Sequence, residues 1–397
     1  MTDFLDLLDL ASESVGGAAI ACNDEFFAEK DNLLREHAAV WKDHVYTDRG
    51  KWMDGWETRR RRPASSSGSG HPTPEGDHDW CIVRLGMPGI IRGVVVDTAF
   101  FRGNFPESCA LYATEVDAAL DLAALETATW TQILPPSQLA GDTKNAFAIT
   151  TQNRFTHVRL EIFPDGGVAR LRIHGEVAPR WSQLRALGGP IDLAALEHGA
   201  VVETSSDMFF GSRHHLIKPG PSRSMADGWE TRRRRGPGND WAIIRLAAAG
   251  TIERLEIDTT HFKGNAPGRC TVEGVHAPGA FADQLTGWRM LLSSPLQPHT
   301  RHLFDDELRR VGTVTHLRLS VFPDGGVARL RAYGELAIDP KAGPAAGIAR
   351  LNARTPNDAR IALRRCCGSL RWAEAMAAMR PFEDLPQLLR IAERTWW

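Results

Sequence analysis

The string DGWETRRRR runs from Asp54 to Arg62 and recurs letter for letter from Asp227 to Arg235. Nine identical residues, one of them the rare Trp, mark an internal duplication, and a duplication constrains the architecture before any single element does. A second string, FPDGGVARLR, starts at Phe163 and again at Phe322. Shorter blocks match in the same order. Asp24-Glu25-Phe26-Phe27 answers to Asp207-Met208-Phe209-Phe210, His78-Asp79-Trp80 to Asn239-Asp240-Trp241, and Asp97-Thr98-Ala99-Phe100-Phe101-Arg102-Gly103-Asn104 to Asp258-Thr259-Thr260-His261-Phe262-Lys263-Gly264-Asn265. The separation of the copies is 173 positions at DGWETRRRR and 161 at Asp97/Asp258. The first copy therefore carries about a dozen extra residues, visible as the Ser/Gly/Pro-rich stretch Pro63 to Asp77, a composition that reads as a loop.

The blocks read as strands. Trp80 to Leu85 and Ile91 to Asp97 are β-branched runs of strand length, and His157 to Phe163 alternates polar and apolar with the period of a half-buried strand. Pro164-Asp165-Gly166-Gly167 is turn chemistry, since Pro fixes φ and Gly permits positive φ. With Val168 to His174 alternating again, the sequence predicts a β-hairpin here. Many short strands separated by turn signals predict a mainly β protein: two tandem jelly-roll sandwiches, residues 1–183 and 184–340, with little helix inside either. The paired phenylalanines after Asp24 and Asp207 are expected in the cores.

Beyond Leu336 the pattern changes. Ile338 to Pro344 reads as a linker, and from Asn357 onward apolar residues fall at helical spacing, with a helix expected over Asp384 to Arg394. This segment, 341–397, is too short to be expected to build a core of its own.

Bulk properties exclude several classes. Forty-seven Lys and Arg against 49 Asp and Glu give a net charge of -2. That is no footprint for bulk nucleic acid, so the arginine runs are local features. The N-terminus is acidic and lacks the basic start of a signal peptide, and no apolar run reaches the ~18 residues of a membrane span. Six cysteines without CxxC spacing suggest a reducing compartment. The expectation is a cytoplasmic protein.

The doubled DGWETRRRR, the Asp24 block, the DTAFFRGN and DTTHFKGN pair and the doubled FPDGGVARLR together resemble the allantoicase family, over roughly Asp24 to Leu336. The resemblance implies two jelly rolls similar to the galactose-binding-like sandwich. It also implies a hydrolase acting on carbon–nitrogen bonds in linear amidines, which converts allantoate to ureidoglycolate and urea in purine-nitrogen salvage. The tail has a resemblance of its own. Arg365 to Ala373, Met379-Arg380-Pro381-Phe382 and Trp396-Trp397 look like the opening of the helical decarboxylase that acts on 2-oxo-4-hydroxy-4-carboxy-5-ureidoimidazoline, without its histidine-bearing segment. That implies a truncated fusion with no activity of its own.

Allantoate carries one carboxylate and two ureido groups on one carbon. An arginine fork suits the carboxylate, and carboxylates suit ureido N–H groups. Expelling urea requires a proton for the leaving nitrogen and a base for water. The copies differ where Phe100 is replaced by His261, a residue type that can serve as acid or base where phenylalanine cannot. The second copy is therefore the expected site, with His261, Glu230 and Asp258 as catalytic candidates. Arg232, Arg234, Trp229, Lys263, Asn265, Glu57 and Arg59 are the candidates for substrate binding. The alternation of a strand would put Asp54, Trp56, Thr58 and Arg60 on one face and Glu57, Arg59 and Arg61 on the other. His214-His215 has no metal-ligand spacing, so no cofactor is required, although the aspartates leave room for a divalent cation. A homo-oligomer is compatible with tandem sandwiches. The rival reading is a non-catalytic binding module for a carbohydrate or small anion, with Trp56 and Trp229 as exposed stacking platforms.

Overall fold

The computed structural model describes residues 4–61, 77–116, 122–186, 188–337, 347–348 and 351–396. The chain divides into two compact units, Met1–Glu335 and Leu336–Trp397. Most of the loop read from Pro63 and the linker read from Ile338 lie outside the described residues.

Each repeat is organised by one 19-residue strand, Asp79–Asp97 in the first and Asp240–Asp258 in the second. In the first repeat buried and half-buried residues alternate along most of this strand, the signature of a pleated element with one face in a core. The sequence reading broke it into two strands at Gly86 to Ile90. In the structure it is continuous, and its two halves serve different partners. Residues 79–84 pair with Arg154–Phe163 and 81–84 with Ala18–Cys22. Residues 89–97 pair with Arg170–Val177, and 93–97 with Lys144–Ala148. One long strand thus joins the two layers of a sandwich. The N-terminal residues belong to it too: Leu8–Asp9 adds an edge strand against His174 and Gly175, and Leu10 and Ala11 are fully buried. The second repeat reproduces this strand order.

The hairpin expected around Pro164 is not one. Arg154–Phe163 and Arg170–Val177 lie on opposite sides of the long strand and do not pair with each other. The turn instead carries the chain from one layer to the other, and its Gly167–Val168 pairs with Trp56–Glu57 of the repeated string. The turn chemistry was legible, but its partner is more than a hundred residues away. Gly166 does take a positive φ of 140°, and a Cβ there would lie 2.7 Å from the Asn104 carbonyl.

The first repeat has an element that the second lacks. The copies are 183 positions apart at Leu33/Leu216 and 173 at Asp54/Asp227, so ten additional residues enter the first repeat just before the string. They form a small hairpin, Tyr46–Thr47 against Gly50–Lys51. The described residues of the second unit include the helices Pro356–Cys367, Leu370–Ala378 and Leu385–Trp396. Thr355 and Ser369 cap the first two, and Gly368 ends the first in the left-handed conformation. Contrary to expectation this segment does enclose a small core of Ile348, Leu363, Ala373, Met376 and Phe382. No helix among the described residues is long and apolar enough to cross a membrane.

Two equivalent histidines sit inside the sandwiches. His157 and His316 are each 1 % exposed, and each places Nδ1 on the preceding threonine hydroxyl, at 2.9 and 3.0 Å. Their Nε2 atoms meet no protein partner. Burial, aided by the charge of Arg84, depresses His157 to about 4, and burial with Arg245 lowers His316 in the same sense. As pH falls from about 6.5 towards 4, the unfolded chain takes up protons that the folded one refuses, so stability must fall over that window. His157→Gln is expected to flatten this acid limb by on the order of 1–2 kcal/mol in urea titrations run at several pH values. An unchanged pH profile would show that His157 is not among the groups responsible.

Candidate functional site

The repeated string proves to be one half of a lock whose other half is FPDGGVARLR. Asp54 accepts hydrogen bonds from Arg170 Nη2 at 2.8 Å, Arg35 Nη1 at 3.2 Å and the Val40 amide at 2.9 Å. Burial alone would raise this carboxyl. The hydrogen bonds from Arg170 and Val40 and the nearby guanidinium charges outweigh it and hold the group below its ordinary value. At Gly55 a Cβ would lie 2.6 Å from the Val168 carbonyl, so only glycine lets the two segments approach this closely. Trp56 is fully buried, with Nε1 donating to the Asp24 carbonyl at 2.8 Å. Thr58 Oγ1 accepts from the Gly166 amide at 3.1 Å. Arg59 gives both its amide and its Nε to Asp24, at 2.7 and 3.2 Å. The Arg61 amide donates to Asp165 and its guanidinium to Asp79.

The second copy repeats most of these contacts: Asp227 with Arg329, Trp229 with the Asp207 carbonyl, Thr231 with Gly325, Arg232 with Asp207, and Arg234 with Asp324 and Asp240. The expected strand parity holds at Asp54, Trp56 and Thr58, which are buried, but only Trp56–Glu57 is strand. Arg60 is exposed instead.

Most of the proposed binding residues are thereby accounted for by the fold. Trp229 and Trp56 are core side chains, so neither binds substrate and neither is an exposed stacking platform; the binding-module reading loses its basis. Arg59, Arg232 and Arg234 are ion-paired to aspartates, although Arg232 remains largely solvent-facing. Asp258 Oδ1 accepts from the Thr260 amide at 2.8 Å, and Asp97 does the same for Ala99 at 2.9 Å. This carboxylate caps a turn rather than facing Glu230. It borders a cavity of about 640 Å³ with Glu256, Arg301, Arg331 and Tyr333, which none of Glu230, Asn265 and His261 lines.

Glu57 and Glu230 are the charged exceptions within the strings that are neither ion-paired nor simply solvated. Each is fixed on both sides by backbone pairing, Glu57 between Ala28 and Gly167 and Glu230 between Gly211 and Gly326. Each then offers one carboxylate oxygen to an asparagine amide, Asn104 at 2.7 Å and Asn265 at 2.6 Å. The asparagines are anchored in turn, because their carbonyls accept from the amides of Gly167 and Gly326. Burial pushes Glu57 above the ordinary glutamate value even though Asn104 favours the ionised form. The sequence reading named Asn265 but missed Asn104; the doubled Gly-Asn ending was the available signal.

His261 and Phe100 share a left-handed backbone, φ 75° and 69°. The His261 amide donates to His299 Nδ1 at 2.8 Å, and the Phe100 amide to Asp142 Oδ1 at the same distance. His261 Nε2 lies 3.0 Å from the Ser222 carbonyl. A carbonyl only accepts, so Nε2 carries the proton in this contact and a neutral ring keeps its lone pair on Nδ1. Lys263 is exposed and unpaired among the described residues. Among those residues no three His, Cys, Asp or Glu side chains converge as a metal site.

The family model described as allantoicase repeat matches residues 8–178 and 191–337. The chain is 45 % identical to the allantoicase of Dictyostelium discoideum over 329 residues, 81 % of this chain and 85 % of that one. It is 47 % identical to a probable allantoicase of Nocardia farcinica over 336 residues, 84 % and 95 % of the two chains. The solved allantoicase of Saccharomyces cerevisiae superposes with a TM-score of 0.66 at 33 % identity, covering 83 % of this chain and 93 % of the yeast chain. Residues 338–397 lie outside both ranges matched by the family model.

The lock makes a direct prediction. Arg170 and Asp54 are each 1 % exposed, and Arg170→Met would leave a carboxylate buried beside only Arg35 and an amide. Removing one partner of such a pair costs about 3–5 kcal/mol. Urea denaturation should show a loss of that size, and Arg170→Met combined with Asp54→Leu should be less destabilised than the single variant.

Proposed function

We propose that this chain, which belongs to the allantoicase family, hydrolyses allantoate to ureidoglycolate and urea, and that the glutamate–asparagine pairs carried by the repeated strings are where it does so. The observation behind the site is the accounting of the string itself. Its Asp, Gly, Trp, Thr and first and third arginines all serve the fold, and the glutamate side chain is left with one asparagine amide as its partner.

The chemistry fits such a pair. Water adds a hydroxyl to the central carbon, the bond from that carbon to one ureido nitrogen breaks, and the departing nitrogen takes a proton to leave as urea. In the second repeat, Glu230 Oε2 and Asn265 Oδ1 are left to accept ureido N–H groups, and His261 Nδ1 has a lone pair with which to take a proton from water. Lys263 supplies a cation for the substrate carboxylate without disturbing an ion pair. In the first repeat the raised Glu57 carboxyl is suited to holding a proton for a leaving group. The helical unit enters no step. Its resemblance to a decarboxylase rests on short motifs, and residues 341–397 contain no histidine.

The reaction is tested by supplying allantoate to the purified chain and measuring urea and ureidoglycolate together; folded protein that releases no urea above blank ends the proposal. For the site, Glu57→Gln combined with Glu230→Gln should lower kcat by on the order of 10²-fold or more while leaving the urea midpoint near that of the parent. Full activity in that double variant would place the chemistry elsewhere. His261→Phe copies the first repeat into the second, and its expected cost is on the order of 10²-fold in kcat. An unchanged kcat would remove His261 from the mechanism.

A further inference from the structure

Four residues around the proposed second-repeat site differ from their counterparts in the first repeat. His261 stands for Phe100, Lys263 for Arg102, His299 for Asp142 and His302 for Asn145. The backbone beneath them is bonded the same way in both copies. In the first repeat Thr98 Oγ1 donates to the carbonyls of Ala140 and Thr143 at 2.6 and 3.0 Å, and the Asp142 amide donates to the Phe101 carbonyl at 3.1 Å. In the second, Thr259 Oγ1 donates to the carbonyls of Gln297 and Thr300 at 2.6 and 3.0 Å, and the His299 amide donates to the Phe262 carbonyl at 3.0 Å. Asp142 and His299 share a φ of 51°, a left-handed value that Asp, Asn and His adopt more readily than most side chains.

On this common frame the side chains do the same work with different chemistry. Asp142 Oδ1 accepts from the Phe100 amide at 2.8 Å, and Asn145 Oδ1 from the Ala140 amide at 2.9 Å. In the second repeat both acceptors are imidazole nitrogens. His299 Nδ1 accepts from the His261 amide at 2.8 Å, and His302 Nε2 from the Gln297 amide at 2.9 Å. An imidazole nitrogen accepts only while it carries no proton, so protonation of either ring would set N–H against N–H. The first repeat is protected from this, because the Phe100 amide and Arg102 hold the Asp142 carboxyl below the ordinary aspartate value.

Asp142 has a second partner that His299 gives up. Its Oδ2 accepts from Arg102 Nε at 3.1 Å, so the cation of the first repeat is engaged. Lys263 meets no carboxylate there, and it is exposed without an ion pair among the described residues. Around the His299 ring stand His261, with ring centroids 6.1 Å apart, and His302. Charged groups of the turn and of the segments against it are engaged: Asp258 by the Thr260 amide, Arg301 by Glu256 and Arg223 by Asp227. Arg232 is held by Asp207 and stacks over the Phe209 ring at 4.8 Å. That phenylalanine, like Phe210, Phe26 and Phe27, is exposed and not in the core where the sequence reading placed it.

We propose that His299 and His302 are positioning residues of this site. As neutral rings they hold the turn that presents His261, and His299, standing where the first repeat has an aspartate, leaves Lys263 free for the carboxylate of the substrate. The inference rests on the roles of His261 and Lys263 proposed above.

The test compares purified full-length variants for urea release from allantoate across pH. His299→Gly keeps the left-handed backbone and lacks the acceptor; its kcat should fall by about tenfold or more, as for a displaced reacting group, with the thermal midpoint near that of the parent. His299→Asn restores an acceptor that takes up no proton and should recover most of the lost kcat. The acid limb of log kcat in the parent should be steeper than one proton can give, since His261, His299 and His302 must all be unprotonated. In His299→Asn combined with His302→Asn it should relax to a one-proton slope. His299→Asp restores the acceptor together with a partner for Lys263, so KM for allantoate should rise by about three- to fivefold, the weight of one exposed ion pair, with kcat retained. That rise should vanish when Lys263→Met is already present. Independently of turnover, amide exchange at residue 261 of the substrate-free chain, followed by NMR, should quicken by about fivefold in His299→Gly and not in His299→Asn. A parent that releases no urea ends the underlying reading and this inference with it. A parent that releases urea, beside a His299→Gly variant of equal kcat or unchanged exchange, overturns the inference alone. So does a one-proton acid limb in the parent, and so does a KM rise in His299→Asp that persists without Lys263.

Discussion

The guanidinium of Arg170 meets the carboxylate of Asp54 where both side chains are about 1 % exposed. These residues are 116 positions apart, and most of the rest of the first repeat can be described by reference to that meeting. Arg170 also donates to the carbonyls of Asp54, Ala169 and His37, so one side chain fixes the start of the string, the crossover after Pro164 and the loop before the hairpin. Arg329 repeats the arrangement with Asp227. A buried ion pair contributes little net stability when compared with a well-packed apolar replacement, since desolvation offsets most of its attraction. What it contributes here is register. Only one relative placement of the two segments satisfies every donor, and the penalty for a buried unpaired charge disfavours the alternatives.

This explains what was legible in the sequence and what was not. The duplication, the β architecture and the buried parity of Asp54, Trp56 and Thr58 followed from identity and period, which are local properties. The arginines misled because residue type states what a group can bind but not whether the chain already binds it. Arg59, Arg61, Arg232 and Arg234 have the chemistry of an anion site and spend it on aspartates of their own repeat. Pro164 to Gly167 was read correctly as a turn and wrongly as a hairpin, because pairing partners are long-range. The phenylalanine pairs were assigned to the core from hydrophobicity alone, which cannot distinguish a core from an uncovered surface. In the tail, helical spacing was legible, whereas the small core around Met376 and Phe382 depends on how separate short segments pack.

Some of the differences between the repeats lie around the lock. Both copies keep the aspartate–arginine pair, the buried tryptophan and the glutamate–asparagine pair. They differ at Phe100 and His261, at Asp142 and His299, and in the hairpin before the string. The positive φ shared by Phe100 and His261 is informative, because a β-branched residue would be strained there and neither side chain is chosen for that backbone. The position is held by the turn, with an acceptor at Asp142 or at His299 for the same amide. Such a site can exchange an aromatic wall for a titratable ring without disturbing the sandwich.

Positioning is what favours the glutamates over the arginines around them in the proposed site. A reacting group must hold its geometry to within a fraction of an ångström, which is easier on a paired backbone than on a free loop. Glu57 and Glu230 each sit between two backbone partners, and the asparagine that touches each one is itself held by an amide of the crossover. An exposed lysine such as Lys263 can follow a substrate but cannot orient one. The same interlock that makes the string look like scaffold therefore gives its glutamate a fixed direction. Scaffold and proposed site are adjacent residues of one nine-residue string.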